Sequence, residues 1–331
     1  MTRNPLIRFL FGTKRARTIT GLVVGVGLVG AVGYNLLFGA PAYFPDQSLV
    51  RIKKGSTLEE AASLLKEKHL IQSAILLQVF AKMYRSDGTI VAGEYAFTEP
   101  QNILTVASRL TQGDFQLTPV RVRIEEGMSV EQITAVLKKQ VPDFDALQFY
   151  SLAIGKEGRL YPDTYFVLPG EEPSLVVESM EKNFESRIRE VTLATAIAKF
   201  GKPLNEVLTM ASLLEKEASL MQDRRIIAGI LWHRMDIGMK LQVDAVFPYI
   251  NGKNTFTLTR KDLLVDSPYN TYLYKGLPPG PIGSPSADAI LAAVTPVHTS
   301  YVYYLSDMDG KIHYSTTYSQ HLAKKDKYID N

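Results

Sequence analysis

The segment that best indicates the fold of this chain reads Leu208-Thr209-Met210-Ala211-Ser212-Leu213-Leu214-Glu215-Lys216-Glu217-Ala218. Its apolar spacing predicts a helix in which Glu217 shares one face with Leu214, Leu213 and Met210. A carboxyl group against apolar neighbours resists ionisation, so its pKa rises and it can act as a general acid near neutral pH. Glu215 lies roughly 200° away around the helix. We therefore expect a buried Glu217 and a solvated Glu215.

A buried glutamate has a second interpretation, which is a structural ion pair. Arg224, Arg225 and Arg234 follow the segment closely in sequence, and carboxylates are almost never fully buried unless they are paired. The helical pattern alone does not choose between a catalytic acid and an ion-pair partner, so both interpretations stay open at this point.

Upstream of this segment, the sequence contains a repeat at an offset of 72 residues. Residues 50–59, Val-Arg-Ile-Lys-Lys-Gly-Ser-Thr-Leu-Glu, align with residues 122–131, Val-Arg-Ile-Glu-Glu-Gly-Met-Ser-Val-Glu. Each copy reads as an alternating strand, a glycine turn, a Ser or Thr helix cap and a helix. The unit resembles half of a LysM module, the small βααβ fold that binds glycans containing N-acetylglucosamine. A structural repeat without a ligand is the alternative.

The N-terminal region carries the pattern of a membrane anchor. Residues 18–39 contain no charged residue, and they match the roughly 20 residues that span a bilayer core as a helix. The residues before them include five basic and no acidic side chains, namely Arg3, Arg8, Lys14, Arg15 and Arg17. Since positive flanks stay inside, we expect a cytoplasmic N-terminus, a single-pass transmembrane helix and an exported remainder. A signal peptide cleaved near Ala40-Pro41-Ala42 is the alternative.

Composition and charge narrow the possible functions. The chain has 331 residues, no cysteine and five histidines without metal-ligand spacing, so we expect no disulfide framework, no metal site and no cofactor. Its 37 basic and 34 acidic residues give a net charge of +3. Because the basic tail supplies +5, the exported part carries −2. The basic balance is therefore a topology signal, and we expect no nucleic-acid binding.

Beyond the glutamate helix, turn residues alternate with aromatic ones. Ser267-Pro268-Tyr269-Asn270-Thr271-Tyr272 is followed by Gly276-Leu277-Pro278-Pro279-Gly280-Pro281-Ile282-Gly283-Ser284-Pro285. Proline and glycine shape such loops without regular secondary structure. Tyrosine rings and an asparagine amide suit sugar rings and N-acetyl groups, although many loops of this composition are simple connections.

Taken together, these segments resemble the endolytic murein transglycosylase (YceG-like) family over nearly the whole chain from the apolar segment onward. The resemblance rests on the runs 162–165, 211–217, 234–244, 269–272 and 276–282. It implies that Glu217, the second glutamate of Glu-Lys-Glu, is the catalytic residue. It also implies an α+β fold in which LysM-like strand–helix repeats precede a mixed α/β catalytic domain with a lysozyme-like helix. The chain departs from the family at Val243-Asp244-Ala245-Val246, where Thr-Asp-Pro-Thr is common.

The substrate implied by the resemblance is peptidoglycan, cleaved at the β-1,4 bond from N-acetylmuramic acid to N-acetylglucosamine with formation of a 1,6-anhydro end. Glu217 would serve first as general acid and then as general base toward the C6 hydroxyl, so a second, nucleophilic carboxylate is not required. The residues expected to bind the glycan are Gln242, Asp244, Tyr269, Asn270 and Thr271. A hydrolase that leaves reducing ends, and a non-catalytic wall-binding anchor, are the alternatives.

These expectations give a domain plan and a location. The plan has a basic cytoplasmic tail (1–17), a transmembrane helix (18–39), a LysM-like repeat region (45–166) and a YceG-like catalytic domain (167–331). The catalytic domain would lie on the extracytoplasmic, periplasmic side of the cytoplasmic (inner) membrane. Its expected partners are nascent glycan strands and the polymerases and transpeptidases of wall synthesis.

Overall fold

The computed structural model describes residues 14–45, 48–254 and 257–330. The chain divides between Thr118 and Pro119 into two compact units. The second copy of the repeat therefore belongs to the same unit as the C-terminal residues. Backbone hydrogen bonds fix it there, from Gly127 N–H to the carbonyl of Ser284 (2.7 Å) and from Ser284 N–H to the carbonyl of Met128 (2.8 Å). The domain boundary expected after residue 166 stays a prediction.

The first unit is built around one small antiparallel sheet. Its elements are α1 (Lys14–Phe38), β1 (Ser48–Ile52), α2 (Leu58–Glu67), α3 (Ala74–Tyr84), β2 (Gly93–Phe97) and α4 (Ile103–Gln112). In the sheet, Val50 of β1 lies opposite Tyr95 of β2. Helix α2 begins at a capping box in which Thr57 and Glu60 each bond the other's backbone N–H. The sheet and helices α2, α3 and α4 share one apolar core.

Helix α1 covers residues 18–38 of the predicted membrane helix at 18–39 and begins four residues before it. Among residues 14–45, 48–254 and 257–330, no helix is both long and apolar enough to cross a membrane. The transmembrane span therefore stays a prediction. Residues 1–13 of the expected basic tail lie outside the described residues.

The second unit begins with the same order of elements as the first copy of the repeat. These elements are β3 (Val120–Arg123), α5 (Val130–Gln140), α6 (Ala146–Ala153) and β4 (Thr164–Val167). The first three begin 72 residues after β1, α2 and α3, respectively. Like β1 and β2, strands β3 and β4 pair antiparallel, so each copy of the repeat forms a complete βααβ unit.

The closing strands explain why the sequence revealed only half of this unit. Tyr165 lies opposite Val122 as Tyr95 lies opposite Val50, and each tyrosine hydroxyl donates at 2.7 Å to the carbonyl four residues earlier. The two tyrosines are 70 residues apart, whereas the preceding elements are 72 apart. The shorter connection in the second copy breaks the alignment, and the equivalence becomes visible in the backbone pairing.

The rest of the second unit is mainly helical and packs around one central helix. Its elements are α7 (Pro173–Ile188), α8 (Val191–Phe200), α9 (Leu204–Glu217), α10 (Met221–Asp236), α11 (Phe247–Asn251), α12 (Ala287–Val294), β5 (Tyr303–Ser306), β6 (Ile312–Ser315) and α13 (Tyr318–Lys325). In α9, every residue from Val207 to Leu214 is buried. Close packing on α10 requires Gly229, because a Cβ there would lie 2.0 Å from the carbonyl oxygen of Val297. The expected mixture of helices and strands is confirmed.

Candidate active site

Glu217 is the last residue of α9, and the helix ends there because Ala218 adopts an extended conformation. Its Oε2 accepts a 2.7 Å hydrogen bond from the hydroxyl of Tyr304 in strand β5. The apolar neighbours predicted for Glu217 are correct, since Leu214, Leu213 and Met210 are all fully buried. The helix end thus projects a carboxyl group from the apolar core toward the loops that follow.

The environment of Glu217 favours its protonated form. Burial raises its pKa to about 7, and the negative charge of Asp244 acts in the same direction. The Tyr304 hydrogen bond, the backbone N–H of Ala245 and the positive charge of Arg234 all oppose this rise, because each stabilises the carboxylate. Near neutral pH, both the protonated and the ionised form of Glu217 are therefore populated.

Glu215 contradicts the expectation that it is solvated. Its side chain is 4% exposed, and its Oε1 lies 2.5 Å from Nη2 of Arg224, which is 8% exposed. Its Oε2 accepts from both the N–H (2.7 Å) and the hydroxyl (2.6 Å) of Ser286, the N-cap of α12. The prediction failed because the face of α9 that carries Glu215 packs against Arg224 and Ser286, so it meets protein instead of water. The ion-pair interpretation therefore describes Glu215, and Glu217 has the tyrosine partner.

Arg234 of helix α10 holds the strand that carries Tyr304. It is buried and donates to the backbone carbonyls of Leu241 and Val302, the latter at 2.7 Å. Its guanidinium also lies over the rings of Tyr303 and Tyr304, 5.6 and 5.9 Å from their centroids. Arg234 therefore contributes positive charge and fixed geometry beside Glu217.

A cleft of about 660 Å³ opens at Glu217. One part of its wall follows α9 and α10, with Lys216, Glu217, Arg234, Gln242, Val243, Asp244, Ala245 and Tyr272. The other part comes from the C-terminal hairpin and helix, with Tyr303, Tyr304, Leu305, Ser306, Tyr318, His321, Lys325 and Ile329. Carboxylates, cations and aromatic rings therefore converge in one open pocket, which is typical of a site for a polar ligand.

Two of the five predicted glycan-binding residues line this cleft, namely Gln242 and Asp244. Gln242 has a φ of +50°, in the left-handed region. Non-glycine residues rarely adopt this conformation, and those that do are enriched at functional sites. Asp244 accepts a 2.6 Å hydrogen bond from the hydroxyl of Tyr272. The segment between α10 and α11 thus places both side chains at the wall of the cleft that Glu217 also lines.

The other three predicted residues lie away from the cleft surface. Asn270 is fully buried, and its side-chain amide donates to the carbonyls of Leu263 and Val265. Thr271 is 2% exposed and its hydroxyl accepts from the N–H of Val243 at 3.0 Å. The ring of Tyr269 packs 4.8 Å from that of Tyr249. The expectation that Asn270 and Thr271 contact sugar is therefore wrong, because both side chains are buried and hydrogen-bonded to backbone groups of the loops.

The sequence and the fold match known proteins. The model of the YceG-like family matches residues 50–327. The chain belongs to the YceG-like family. The "Endolytic murein transglycosylase" of Bacillus subtilis is 31% identical over 313 residues, and the match covers 85% of each of the two chains. That of Streptococcus pneumoniae R6 is 27% identical over 353 residues, covering 92% of this chain and 63% of its own length.

A solved structure supports the same family. The 2.6 Å crystal structure of a yceG-like protein from Listeria monocytogenes has 28% sequence identity and a TM-score of 0.56. The match covers 85% of this chain and 99% of that one. The region that matches the solved structure therefore includes residues of both compact units.

The motifs that indicated the YceG-like family pack around α9. Ser212, inside the helix, accepts a 3.0 Å hydrogen bond from the N–H of Ile282 in the Gly/Pro-rich run. Tyr272, from the aromatic run, bonds Asp244. These runs are far apart in sequence, and the structure joins them at the end of the glutamate helix.

Sequence reasoning missed Tyr304, and it noted Tyr272 and Arg234 without placing them in the site. Nothing in the sequence around Tyr304 shows which helix this residue meets. Among residues 14–45, 48–254 and 257–330, no group of three or more His, Asp or Glu side chains could hold a metal ion. The expected lack of a cofactor stays a prediction.

Proposed function

We propose that this YceG-like protein is an endolytic murein transglycosylase that cleaves glycan strands of peptidoglycan through Glu217. The single observation that carries the proposal is Glu217 itself, a carboxyl group with a pKa of about 7 at the wall of an open polar cleft. The names of the relatives at 27–31% identity support the same activity. The bond cleaved is the β-1,4 link from N-acetylmuramic acid to N-acetylglucosamine.

The mechanism needs one group that gives and then takes a proton. Protonated Glu217 donates to the glycosidic oxygen, and the bond to C1 of the muramyl residue breaks as positive charge develops on its ring. The Glu217 carboxylate then accepts the proton of the muramyl C6 hydroxyl, whose oxygen bonds to C1 and forms the 1,6-anhydro ring. A pKa near 7 suits both steps, because neither protonation state is strongly disfavoured at neutral pH.

The neighbours of Glu217 have distinct roles in this proposal. The Tyr304 hydroxyl holds the carboxyl group in position and stabilises its ionised form between the two steps. Asp244, oriented by the Tyr272 hydroxyl, supplies negative charge close to the ring on which positive charge develops. Gln242 faces the same cleft and offers an amide that can bond sugar hydroxyls or N-acetyl groups.

A hydrolase is the second candidate, because the cleft contains two carboxylates. Glu217 as acid and Asp244 as base could deliver a water molecule to C1 and leave a reducing end. The two products differ in mass by one water. We would incubate the purified protein with peptidoglycan sacculi and analyse the released muropeptides by mass spectrometry.

The variants for this experiment are Glu217→Gln and, as a matched control, Glu206→Gln in the first turn of the same helix. Anhydromuramyl products from the wild type and from Glu206→Gln, but not from Glu217→Gln, would support the proposal. Reducing ends would favour the hydrolase. Equal products from Glu217→Gln would assign the chemistry to another residue, and no products from any form would leave the wall-binding anchor as the better account.

We also propose that α1 anchors the protein in the cytoplasmic membrane with the catalytic residues outside. Large apolar side chains along α1 are more than half exposed, including Leu22, Val24, Val26, Leu28 and Val29, and such a surface calls for an apolar environment. Intact protein should resist alkaline extraction from membranes. Val26→Arg should weaken this retention, whereas Val26→Ile should not. A mature N-terminus near residue 43 would instead show a cleaved signal peptide.

The βααβ units are proposed to contact glycan in the manner of LysM modules. The support is a second cleft of about 540 Å³ in the second copy, at the ends of β3 and β4. Arg123 lines it, while Arg121 is exposed two residues earlier on the same strand. Arg123→Ala in a Glu217→Gln background should weaken binding of soluble peptidoglycan chains, and Arg121→Ala should not. Equal binding by both would leave the repeat as a structural element.

The proposed location brings the enzyme to strands that are being synthesised. Cleavage inside such strands would end their elongation, so polymerases and transpeptidases of wall synthesis are the expected partners. In-cell photo-crosslinking from an exposed position such as Phe166 (67% exposed) would test this. Adducts that contain only copies of this chain would argue against such partners.

A further inference from the structure

The C-terminal helix α13 contributes aromatic side chains to the active-site cleft. Tyr318 and His321 of this helix line the cleft together with Tyr303 of strand β5. Their rings form one cluster, with centroids 5.8 Å apart for Tyr303 and Tyr318 and 5.3 Å apart for Tyr303 and His321. We call these three residues the aromatic platform. The platform lies in the same cleft as Glu217 and Tyr304, and the guanidinium of Arg234 lies over the rings of both Tyr303 and Tyr304.

Helix α13 has one polar contact at its start and one in its last turn. Thr317 caps the helix by accepting from the N–H of Gln320. Lys324, in the last turn, donates to the carbonyl of Tyr314 in β6. The cap is local to the helix, whereas the Lys324 bond and the ring contacts with Tyr303 attach the helix to the hairpin that carries Tyr304.

The aromatic platform consists of two half-buried residues and one exposed residue. Tyr303 and His321 are half-buried, while 59% of Tyr318 is exposed. Burial and the positive charges of Arg234 and Lys325 lower the pKa of His321, so its ring is neutral at neutral pH. An exposed, supported tyrosine at the wall of a polar cleft is poorly explained by core packing, since the core would cover it.

We infer that the aromatic platform is a sugar subsite, in which the Tyr318 ring packs against one pyranose ring of the glycan next to the cleaved bond. Pyranose rings carry an apolar face of C–H groups, and the negative face of an aromatic ring attracts such groups. The polar residues of the same cleft suit the hydroxyl and N-acetyl groups at the ring edge. This inference rests on the proposed function, because it assigns a further contact for the same substrate.

The test separates binding from cleavage. In the full-length Glu217→Gln protein, binding of soluble, peptide-free peptidoglycan chains is measured by calorimetry. Tyr318→Ala should weaken binding about tenfold, and Tyr318→Phe, which keeps the ring, should stay within about twofold of the parent. Leu322→Ala is the matched control, since Leu322 lies on the same helix, is 45% exposed and lies outside the cleft lining.

In the active protein, the same variants distinguish a subsite from a general loss of structure. Tyr318→Ala should raise KM for soluble glycan about tenfold with a smaller change in kcat, and its melting temperature should match that of Leu322→Ala. Unchanged binding and KM in Tyr318→Ala would overturn the inference, and so would an equal loss in Leu322→Ala. If the wild type gives no anhydro products while binding still depends on the Tyr318 ring, the proposed reaction fails and the subsite stands.

Discussion

The hydroxyl of Tyr304 donates a 2.7 Å hydrogen bond to Glu217 across 87 residues of sequence. Burial and the nearby Glu217 raise the pKa of Tyr304 well above its ordinary value, so the hydroxyl keeps its proton and remains the donor. The bond favours the carboxylate, whereas burial and Asp244 favour the protonated acid. The pKa of about 7 is therefore a balance that single substitutions can move in either direction.

Tyr304→Phe removes the donor and keeps the ring. Because the lost hydrogen bond stabilised the carboxylate, the pKa of Glu217 should rise further, by roughly half to one unit. The alkaline limb of the pH dependence of kcat/KM, which reports this group in the free enzyme, should move upward from about pH 7. Tyr274→Phe is the control, because that hydroxyl bonds Asp266 at an exposed position. A downward shift in Tyr304→Phe would contradict this account of the bond.

Asp244→Asn should move the same limb in the opposite direction. The substitution removes a negative charge that raises the pKa of Glu217, and the asparagine oxygen can still accept from Tyr272. The Glu217 pKa should fall, and activity should be lost at a lower pH than in the wild type. Measuring both profiles in one buffer series compares the two signs directly. Asp244→Asn and Tyr304→Phe moving together would show that Glu217 does not set the alkaline limb.

The sequence was sufficient to identify the glutamate helix but not the surroundings of its two glutamates. The predicted helix and the apolar neighbours of Glu217 are correct, because both depend on local periodicity. The exposure of Glu215 depends on what α9 packs against. Because every residue from Val207 to Leu214 is buried, this part of the helix has no solvent-exposed face, and an amphipathic interpretation fails.

Contacts between distant segments account for the remaining errors. Tyr304 meets Glu217 only because a hairpin 87 residues later packs on the helix end. Asn270 was expected to bind sugar because of its residue type, yet its amide is used by two backbone carbonyls of its own loop. A short polar side chain in a turn has both options, and the choice depends on the path of the loop.

Glu217→Gln should stabilise the protein at alkaline pH. The folded-state pKa of about 7 exceeds the ordinary value of 4.5, so between these values the folded state binds more protons than the unfolded state. Stability therefore falls as pH rises from about 4.5 to 7, and the glutamine variant escapes this loss. We expect similar melting temperatures near pH 4.5, and a gain of about 3 kcal/mol at pH 8. Glu206→Gln is the control. An equal gain in stability in this variant would show that the effect comes from the change in net charge.

The ion pair between Glu215 and Arg224 should contribute to stability and not to chemistry. Arg224→Ala leaves a buried carboxylate without its cation, which costs about 3–5 kcal/mol of unfolding free energy. Arg225→Ala is the matched control, because Arg225 is exposed and its guanidinium donates to the backbone carbonyl of Thr295. The effect of this control should stay below about 1 kcal/mol. Urea titrations give both values.

The double variant Arg224→Ala, Glu215→Gln completes this prediction. Neutralising the orphaned carboxylate should recover part of the lost stability, since an amide replaces the buried charge and Ser286 can still bond its oxygen. Its anhydro products, measured where all variants are folded, should match those of the wild type in kind. Loss of those products with stability recovered would instead give Glu215 a direct part in the reaction, because the fold would then be intact and only the second carboxylate missing.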